Sequence, residues 1–315
     1  MLLPHDDSGL AGEGTAAPEG ALTLAIATKG RPEIVAETLE SLARCSPLPH
    51  ELIVVDGDEA GSARPAVEAF AEARPAMGVH YVASEPGLTR QRNRAIERAE
   101  GEAVVFVDDD VHFDPSLFAV LEEAYRDPAL VGATGQIIEE SHHRIGGERS
   151  AVRRLLHLGA AEGTMTPFGY PRRVRDLGVE RDVEFMKGCF MSARRGAAER
   201  VRFDERLTGY ALAEDEDFSY RLSRLGRLRF LPRAVVHHRN TGFRSFGSRE
   251  FNRIVVRNRA YLFRKNFPQS PLARVQFGGF IALLVLHRAL NREWAGVHGL
   301  LEGAVAAWRR RAASP

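Results

Sequence analysis

The chain has 315 residues, of which 44% are hydrophobic and 27% charged, so global disorder is excluded and one large domain with an appendage is allowed. Two cysteines, Cys45 and Cys189, are too few for a disulfide scaffold or a thiolate zinc site, and we expect buried or half-buried free thiols. The net charge of +1 conceals an asymmetry, because Arg221–Pro315 carries 19 basic and 3 acidic residues. This segment predicts an anionic partner such as a nucleotide, a phospholipid surface or a nucleic acid.

The N-terminal segment 1–20 is rich in small and acidic residues, and we expect a disordered tail there. It lacks the pattern of a signal peptide, and no uninterrupted apolar run reaches the roughly 18 residues of a membrane-spanning helix. Together with the low cysteine content, these features predict a reducing, cytoplasmic location.

Short apolar runs alternate with helical patterns between Ala21 and Asp110. The predicted strands are Ala21–Thr28, Glu51–Asp56, Val79–Ala83 and Ala103–Val107. Three helices are predicted between them: one that begins at Pro32, one over 65–74 and one over Gly87–Glu102. This alternation predicts a parallel sheet with helices on both faces.

The second half of the chain is less regular. No element is predicted over 139–184, residues 185–193 have strand character, and Leu212–Gly226 is predicted to be an acidic loop that leads into a helix. Leu228–Arg239 predicts two short strands broken by Pro232, because proline has no N–H for the sheet. The final predicted elements are three helices at 247–266, 272–290 and 294–311.

Polar side chains follow three of the predicted strands, at Thr28, at Asp56 and at Asp108–Asp110. Ligands bind at the carboxyl ends of parallel strands, so we expect these residues to line one crevice. Three adjacent carboxylates favour a divalent cation, and in an extended segment Asp108 and Asp110 point one way while Asp109 turns aside. Few protein ligands would leave room for phosphate oxygens and water, as Mg²⁺ and Mn²⁺ prefer. The alternative is an acidic surface turn.

Two later groups are candidates for the same site. In the acidic block Ala213–Arg221, Asp215 is predicted to accept a proton from a hydroxyl nucleophile. The alternative is a set of acids that only favour a helix N-terminus. One of His237 and His238 is predicted to be a neutral imidazole ligand of a metal, the alternative being an ordinary surface or core histidine pair.

An arginine cluster lies in one predicted helical turn, formed by Arg90, Arg92, Asn93 and Arg94. Guanidinium groups there would bind pyrophosphate oxygens in a forked geometry. The alternative is a solvated helix face that pairs with nearby glutamates.

Taken together, these segments resemble the family 2 glycosyltransferases, in order, from about Ala21 to about Pro268. The matching segments are the opening strand and helix, ELIVVDGDEA, the stretch into Asp108–Asp110, EFMKGCFMSARR and the acidic block. The resemblance implies the α/β GT-A fold, a Rossmann-like, mixed or mostly parallel sheet flanked by helices, with a C-terminal helical extension. It divides the chain into a tail (1–20), a catalytic domain (21–246) with nucleotide-binding (21–137) and acceptor-binding (138–246) halves, and an extension (247–315).

The implied activity is an inverting transfer of a sugar from a nucleotide diphosphate sugar to an acceptor hydroxyl. Asp215 resembles the general base, with Asp217 as the alternative if the register is shifted by two residues. Asp108 and Asp110 resemble the family's DxD pair, which binds the nucleotide and a Mn²⁺ or Mg²⁺ ion. His237, or failing that His238, resembles the late histidine that contacts the metal or the diphosphate.

Asp56 resembles the acid that accepts the N3–H of uracil or thymine, which favours a UDP- or dTDP-sugar. The other residues that the resemblance implies are Thr28, Arg31, Arg90, Arg92 and Asn93 at the nucleotide and Lys187, Gly188 and Glu214 on the acceptor side. The expected acceptor is a glycan, a lipid-linked or a small molecule in polysaccharide, glycolipid or other glycoconjugate biosynthesis.

The end of the chain has a basic helix, Ser248–Pro268, followed by the apolar segment Phe277–Leu286. Ten apolar residues do not span a bilayer but suit a membrane interface, so we expect peripheral contact with an anionic membrane. A homodimer interface is the competing use of the same surface.

Two other classes of protein fit parts of the sequence. A sugar-nucleotide nucleotidyltransferase usually has a glycine-rich phosphate loop, of which Lys29-Gly30-Arg31 is only a faint trace. A non-catalytic module would bind nucleic acid or a membrane surface through the basic segment. The acidic first part of the chain and the lack of a recognised aromatic motif argue against nucleic acid, which we do not expect as a partner.

Overall fold

The computed structural model of the protein describes residues 20–139, 161–208, 211–239 and 248–312. The predicted tail, except Gly20, therefore lies outside the described residues, as does the 140–160 part of the segment for which no element is predicted.

Four parallel strands form the first half of the sheet, in the spatial order β3-β2-β1-β4. They are β1 (Leu22–Thr28), β2 (Glu51–Asp56), β3 (Gly78–Ala83) and β4 (Ala103–Asp108). The helices between them are α1 (Pro32–Leu42), α2 (Arg64–Glu72) and α3 (Leu88–Arg98). The predicted alternation of strands and helices is confirmed here, with bounds that differ by a few residues.

The sheet then continues as a mixed sheet of nine strands. The added strands are β5 (Val111–Phe113), β6 (Leu130–Glu139), β7 (Arg181–Val183), β8 (Phe190–Arg194) and β9 (Arg227–His238), and the added helices are α4 (Leu117–Tyr125), α5 (Arg195–Val201) and α6 (Glu214–Leu222). The spatial order is β3-β2-β1-β4-β8-β6-β9-β5, with β7 beside β9. Since β8 is antiparallel to β4, the chain enters β8 beside the carboxyl end of β4.

The predicted break at Pro232 is wrong in extent, because β9 is one strand with an irregularity. Its pairing with β6 shifts between Gly135, opposite Leu231, and Gln136, opposite Val235. The proline thus lies where the hydrogen bonds between β6 and β9 are interrupted. Its missing N–H therefore costs the sheet no regular hydrogen bond. The carbonyl of Pro232 accepts a hydrogen bond from the Gln136 side chain at 2.8 Å.

Two hydrophobic layers cover the two faces of the sheet. One includes Ile26, Val54 and Phe118, and the other includes Ile53 and Phe106. Alternate residues of each strand enter opposite layers, as the pleat requires. In the second layer, Phe203 and Phe218 stack with ring centroids 4.1 Å apart, below the loop that enters α6.

Three helices complete the chain: α7 (Ser248–Asn266), α8 (Pro271–Leu290) and α9 (Trp294–Ala312). Glycines let α9 pack closely along α7, since a Cβ at Gly299 would lie 2.0 Å from the Arg249 carbonyl oxygen. An aromatic cluster that includes Phe263, Phe267 and Phe280 joins α7 and α8.

One helix within the described ranges, α8, is long and apolar enough to cross a membrane by length and composition. It has 20 residues, and 11% of its most apolar 18-residue window is buried inside the protein. No spanning segment is predicted from the sequence, because Arg274 and Gln276 interrupt the apolar residues that the helix brings into one 20-residue element.

We expect Gly135→Ala to lower the free energy of unfolding by about 2 kcal/mol or more, because overpacking strains the surrounding backbone. The added Cβ would lie 2.0 Å from the Ala234 carbonyl oxygen, so β6 and β9 would have to separate. Urea denaturation measures the effect. The matched control is Gly279→Ala, where nothing lies within 4 Å. That change should stabilise α8 by roughly 0.5–1 kcal/mol, since alanine is the better helix former. Equal stability of Gly135→Ala and the wild type would contradict the close approach.

Candidate active site

The site lies at the carboxyl ends of the parallel strands, where the sequence predicts a crevice. Thr28 is opposite Asp56 in the pairing of β1 with β2, and Ala27 is opposite Asp108 in the pairing of β1 with β4. The three strand ends therefore lie side by side. Gln91 of α3 joins two of them, because its side-chain amide donates to the carbonyls of Thr28 at 2.7 Å and Val55 at 2.9 Å.

A cluster of two carboxylates and one imidazole stands at this edge. Asp108, Asp110 and His238 each offer one ligand atom, and these atoms lie within 4.8 Å of one another. His238 Nε2 is 3.2 Å from Asp110 Oδ1 and 3.9 Å from Asp108 Oδ2. Carboxylate oxygens with one imidazole suit Mn²⁺ and are compatible with Mg²⁺, and three protein ligands leave positions for phosphate oxygens and water. The residues therefore fit a divalent cation.

Asp109 turns away from this cluster, as the alternation predicts. Its carboxylate accepts hydrogen bonds from Thr28 Oγ1 at 2.7 Å and from Arg31 at 2.6 Å. Burial, partly opposed by Arg31 and Thr28, raises the pKa of Asp109 to about 6. Thr28 and Arg31, both predicted to contact the nucleotide, thus contact the middle carboxylate of the motif, and Arg31 also lies 3.4 Å from Asp110.

Of the two histidines, the structure places His238 at the cluster, whereas the sequence analysis prefers His237. Adjacent residues of a strand face opposite sides, so His237 cannot share the side of β9 on which His238 lies. His237 is opposite His112 in the pairing of β9 with β5, and it lies near Asp114. His238 Nδ1 is 3.0 Å from Glu139 Oε2. Burial lowers the pKa of His238, but hydrogen bonds to Asp110 and Glu139 outweigh it and raise the pKa to about 9.

Glu139, which the sequence analysis does not single out, holds the imidazole in place. Its other carboxylate oxygen forms an ion pair with Lys187, one of the predicted acceptor-side residues. A carboxylate on the second ring nitrogen of a histidine is the usual partner at metal sites, because it fixes the ring orientation. The available sequence signal is an acid at the end of a strand, and it becomes informative only when β6 is known to lie beside β9.

Arg92 of α3 links the two halves of the site. Its guanidinium donates to Asp108 Oδ1 at 3.1 Å, to Glu214 Oε1 at 3.1 Å and to the Gly188 carbonyl at 2.7 Å, although only 2% of its side chain is exposed. Its Nε is buried without a hydrogen-bond partner among the described residues. Arg92 was predicted to bind the diphosphate, and the structure brings it to the DxD motif and the acidic block at once.

The carboxylates of the acidic block differ in burial and in their hydrogen-bond partners. Asp215 is half-buried at the start of α6, where its Oδ2 accepts from the Gly188 N–H at 2.9 Å and its Oδ1 from the Glu216 N–H at 2.8 Å. Glu214 is buried against Arg92, and burial together with the charge of Asp215 raises its pKa. A Cβ at Gly188 would lie 3.1 Å from Glu214 Oε1, so this glycine allows the loop to approach α6.

Asp217, the alternative base, points away from the crevice. Its carboxylate is fully buried and accepts hydrogen bonds from Arg221 at 2.6 Å, Lys265 at 2.9 Å and Asn266 at 2.8 Å. These cations and the amide occupy both of its oxygens. These contacts fasten α7 onto α6 through Asp217, and the identity of the base stays a prediction.

Asp56 differs from its predicted role in one respect, because the structure gives its carboxylate protein partners. It is fully buried, and it accepts hydrogen bonds from the Asp58 and Ala63 N–H groups and from the Tyr81 hydroxyl at 3.1 Å. Burial and the charge of Asp56 raise the pKa of Tyr81 to about 12, so its hydroxyl stays protonated and donates. The Oδ1 of Asp56 accepts one of these bonds and could accept another, but a base would first have to reach a fully buried carboxylate.

Two members of the arginine cluster lie outside the centre of the site. The side-chain amide of Asn93 donates to the Phe203 carbonyl at 3.0 Å and to the Glu205 carboxylate, and it accepts from the Phe203 N–H at 2.8 Å. Arg90 is exposed and pairs with Glu85 and Glu205. Direct nucleotide contacts of these two residues stay a prediction, whereas Arg92 and Gln91 of α3 reach the strand ends.

Comparison with known proteins gives a family for the chain. The sequence profile described as "Glycosyl transferase family 2" matches residues 23–202, more than half of the chain. The curated protein "Uncharacterized glycosyltransferase YwdF" of Bacillus subtilis (strain 168) is 26% identical over 141 residues. That match covers 45% of this chain and 51% of YwdF, so the chain spans about half the length of this relative.

Solved structures with the same fold are distant in sequence. The mannosyltransferase PcManGT from Pyrobaculum calidifontis, in complex with GDP-Man and Mn²⁺, has a TM-score of 0.55 and 17% identity, over 93% of this chain and 89% of that one. S. aureus TarS 1–349 has a TM-score of 0.53 and 18% identity, over 87% and 73% of the two chains. GalNAc-T7 with UDP, GalNAc and Mn²⁺ has a TM-score of 0.52 and 15% identity, over 75% of this chain and 48% of that one.

The profile match begins in β1 and ends after α5, so it includes Asp56, the Asp108–Asp110 segment and Gly188. The mixed sheet with flanking helices agrees with the fold of the solved glycosyltransferases. The chain therefore belongs to glycosyl transferase family 2 and has the GT-A fold.

Proposed function

We propose that the protein transfers a hexosyl or deoxyhexosyl group from a nucleoside diphosphate sugar to an acceptor hydroxyl, with inversion at the anomeric carbon. The observation that carries this proposal is the junction at Arg92, which holds the metal-ligating Asp108 and the acidic block against one another. A donor bound at the first and an acceptor bound at the second would meet in the same crevice.

On the donor side, Asp108, Asp110 and His238 would hold Mn²⁺ or Mg²⁺. The ion supplies positive charge to the departing diphosphate. The chain contributes to that task by arranging its own groups. Glu139 orients the imidazole, and Arg31 and Thr28 hold Asp109 aside, so that Asp108 and Asp110 face the ligand.

On the acceptor side, Asp215 is the proposed general base. Hydrogen bonds from two backbone N–H groups fix its carboxylate at the start of α6, and it is the one member of Glu214–Asp217 that is not buried. One accessible carboxylate is enough for a single displacement. In that step the acceptor oxygen attacks the anomeric carbon opposite the leaving diphosphate, and Asp215 takes the proton of the acceptor hydroxyl. Lys187 and Gly188 border the acceptor side, and the proposed acceptors are glycan, lipid-linked or small-molecule hydroxyls of glycoconjugate biosynthesis.

UDP- and dTDP-sugars are the first candidates for the donor. The support is the position of Asp56 at the carboxyl end of β2, beside the metal-ligating strand end. Because Asp56 is fully buried, its part in base recognition requires that the base reach its Oδ1, which has acceptor capacity left. PcManGT is described in complex with GDP-Man, so guanine has to be included in any comparison of nucleotides.

Asp215→Asn should lower the turnover number by roughly 10²–10⁴-fold, because the base is lost. It should also lower the melting temperature by a few degrees, since an amide has one acceptor oxygen and can keep only one of the hydrogen bonds from the Gly188 and Glu216 N–H groups. The measurement is release of nucleoside diphosphate from a sugar donor that carries a nucleotide found to bind the protein. Asp217→Asn is the matched variant on the same helix. It removes the charge from a fully buried carboxylate whose cationic partners are about one quarter exposed, so it should cost about 2 kcal/mol of stability. A stable, inactive Asp217→Asn beside an active Asp215→Asn would reverse the two assignments.

Asp110→Asn should weaken Mn²⁺ binding in the presence of UDP by about tenfold or more, because a charged ligand becomes neutral. Titration of free Mn²⁺ by electron paramagnetic resonance measures this without turnover. The control is Asp114→Asn, which changes a partly exposed carboxylate outside the cluster and retains an acceptor for the Ser116 N–H. Equal Mn²⁺ affinity in both variants would contradict the assigned cluster.

A panel of UDP, dTDP, GDP, CMP and ADP should raise the melting temperature by a few degrees only for the nucleotides that bind the native state, and more with Mn²⁺ than with EDTA. We expect the rise with UDP or dTDP, and Asp56→Asn should abolish it. A rise with GDP alone would reassign the donor to a guanine nucleotide and leave the transferase proposal intact.

A further inference from the structure

The exposed side of α8 is a continuous apolar surface. Its residues recur every three or four positions and lie on one side of the helix: Leu272, Val275, Gly279, Ala282, Leu286 and Leu290, here called the α8 stripe. The large members are strongly exposed, with 72% of Val275 and 73% of Leu290 accessible. Trp294, 60% exposed at the start of α9, follows one helical turn later in the sequence. Contiguous exposed apolar surface of this kind is typical of an interaction site.

The opposite side of α8 is already committed to the protein. Ala273 and Phe280 are buried, and Phe280 packs with Phe168 at 5.8 Å between ring centroids. Phe277 stacks on Phe263 of α7 at 4.7 Å. A helix held along its length in this way cannot cross a bilayer without losing these contacts. It can lie in a membrane interface with its free side down, because one apolar side and one fixed side are what such helices present.

The charge around the stripe selects the partner. The described C-terminal helices, residues 248–312, contain 12 basic and 3 acidic residues. The three acids are already paired, Glu250 with Arg253, Glu293 with Arg288 and Glu302 with Arg249. Arg274 and Arg292 are exposed near the two ends of the stripe. A second copy would bring the same positive surface against itself, whereas an anionic leaflet attracts it.

We propose that the α8 stripe docks the protein onto an anionic lipid bilayer, with α8 lying in the interface. Docking there would be transmitted to the catalytic centre. Buried ion pairs fasten α7 to α6, Arg259 with Glu216 and Lys265 with Asp217, and these acids flank Asp215 by one and two positions. The bilayer would thus hold the acceptor side of the site in a fixed relation to its surface. This proposal adds a binding surface to the proposed transferase and is tested without turnover.

The experiment is co-sedimentation of the full chain with two kinds of vesicle, phosphatidylcholine alone and equal parts of phosphatidylglycerol and phosphatidylcholine. We expect binding to the anionic vesicles that weakens at high salt. The double variant Val275→Asp/Leu286→Asp should reduce partitioning by about tenfold or more, because two apolar side chains are replaced by charges that the leaflet repels. Arg274→Glu should reduce it by about tenfold through charge alone.

Matched controls make the same chemical changes elsewhere. Val179→Asp alters an apolar residue that is 50% exposed, outside the C-terminal helices, and Arg206→Glu reverses an exposed charge outside them. Both should bind as the wild type does. Circular dichroism melts establish that each variant is folded.

A second readout needs no variant of the stripe. In a Trp308→Phe background, Trp294 is the one tryptophan left, since the chain has two. Its emission should shift to the blue when anionic vesicles are added. Three results would overturn the proposal: wild-type protein left in the supernatant of anionic vesicles, stripe variants that bind undiminished, or a lipid-free dimer that the stripe variants convert to monomer while no vesicle binding occurs. The last would assign the stripe to a second copy of the chain.

Discussion

Burying a guanidinium is costly unless acceptors surround it, and the arrangement around Arg92 depends on acceptors that reach its two NH2 groups from three segments. Asp108 comes from the end of β4, Gly188 from the loop before β8 and Glu214 from the start of α6. The lack of a side chain at position 188 eases this approach, since a Cβ there would lie 3.1 Å from Glu214 Oε1 and 3.3 Å from Asp215 Cβ. Three separate segments are thereby fixed to one charge, which sets the distance between the metal cluster and the proposed base.

The acidic block shows how like charges can be gathered without a metal on each. Glu214 faces Arg92, Glu216 faces Arg259, and Asp217 faces Arg221 and Lys265. Asp215 instead accepts hydrogen bonds from two backbone N–H groups, those of Gly188 and Glu216. The cations that neutralise two of these acids come from α7, so part of the basic excess of the C-terminal segment serves the catalytic domain and the remainder stays at the surface.

Local pattern was sufficient for β1 to β4 and their helices, because β1, β2 and β4 are largely apolar runs that end in a polar residue and β3 is a short strand between two helical patterns. It also predicted the separation of Asp109 from its neighbours, which follows from the pleat. It failed where partners come from distant segments. The preference for His237 over His238 depends on the side of β9 that faces β5, and the hydrogen bonds of Asp56 and Asn93 depend on Tyr81 and Phe203. The family resemblance supplied the order of motifs, but neither it nor local pattern gave Glu139.

The two cysteines, predicted to be free and at least half-buried, are buried thiols in the structure. Burial raises the pKa of Cys45 to about 12, and it raises that of Cys189 as well. Thiolate is the reactive form, so both sulfurs should be inert toward maleimide and iodoacetamide dyes in the folded protein. A cysteine introduced at a surface position would then carry a fluorophore or spin label at a single known place, with both native thiols left as they are.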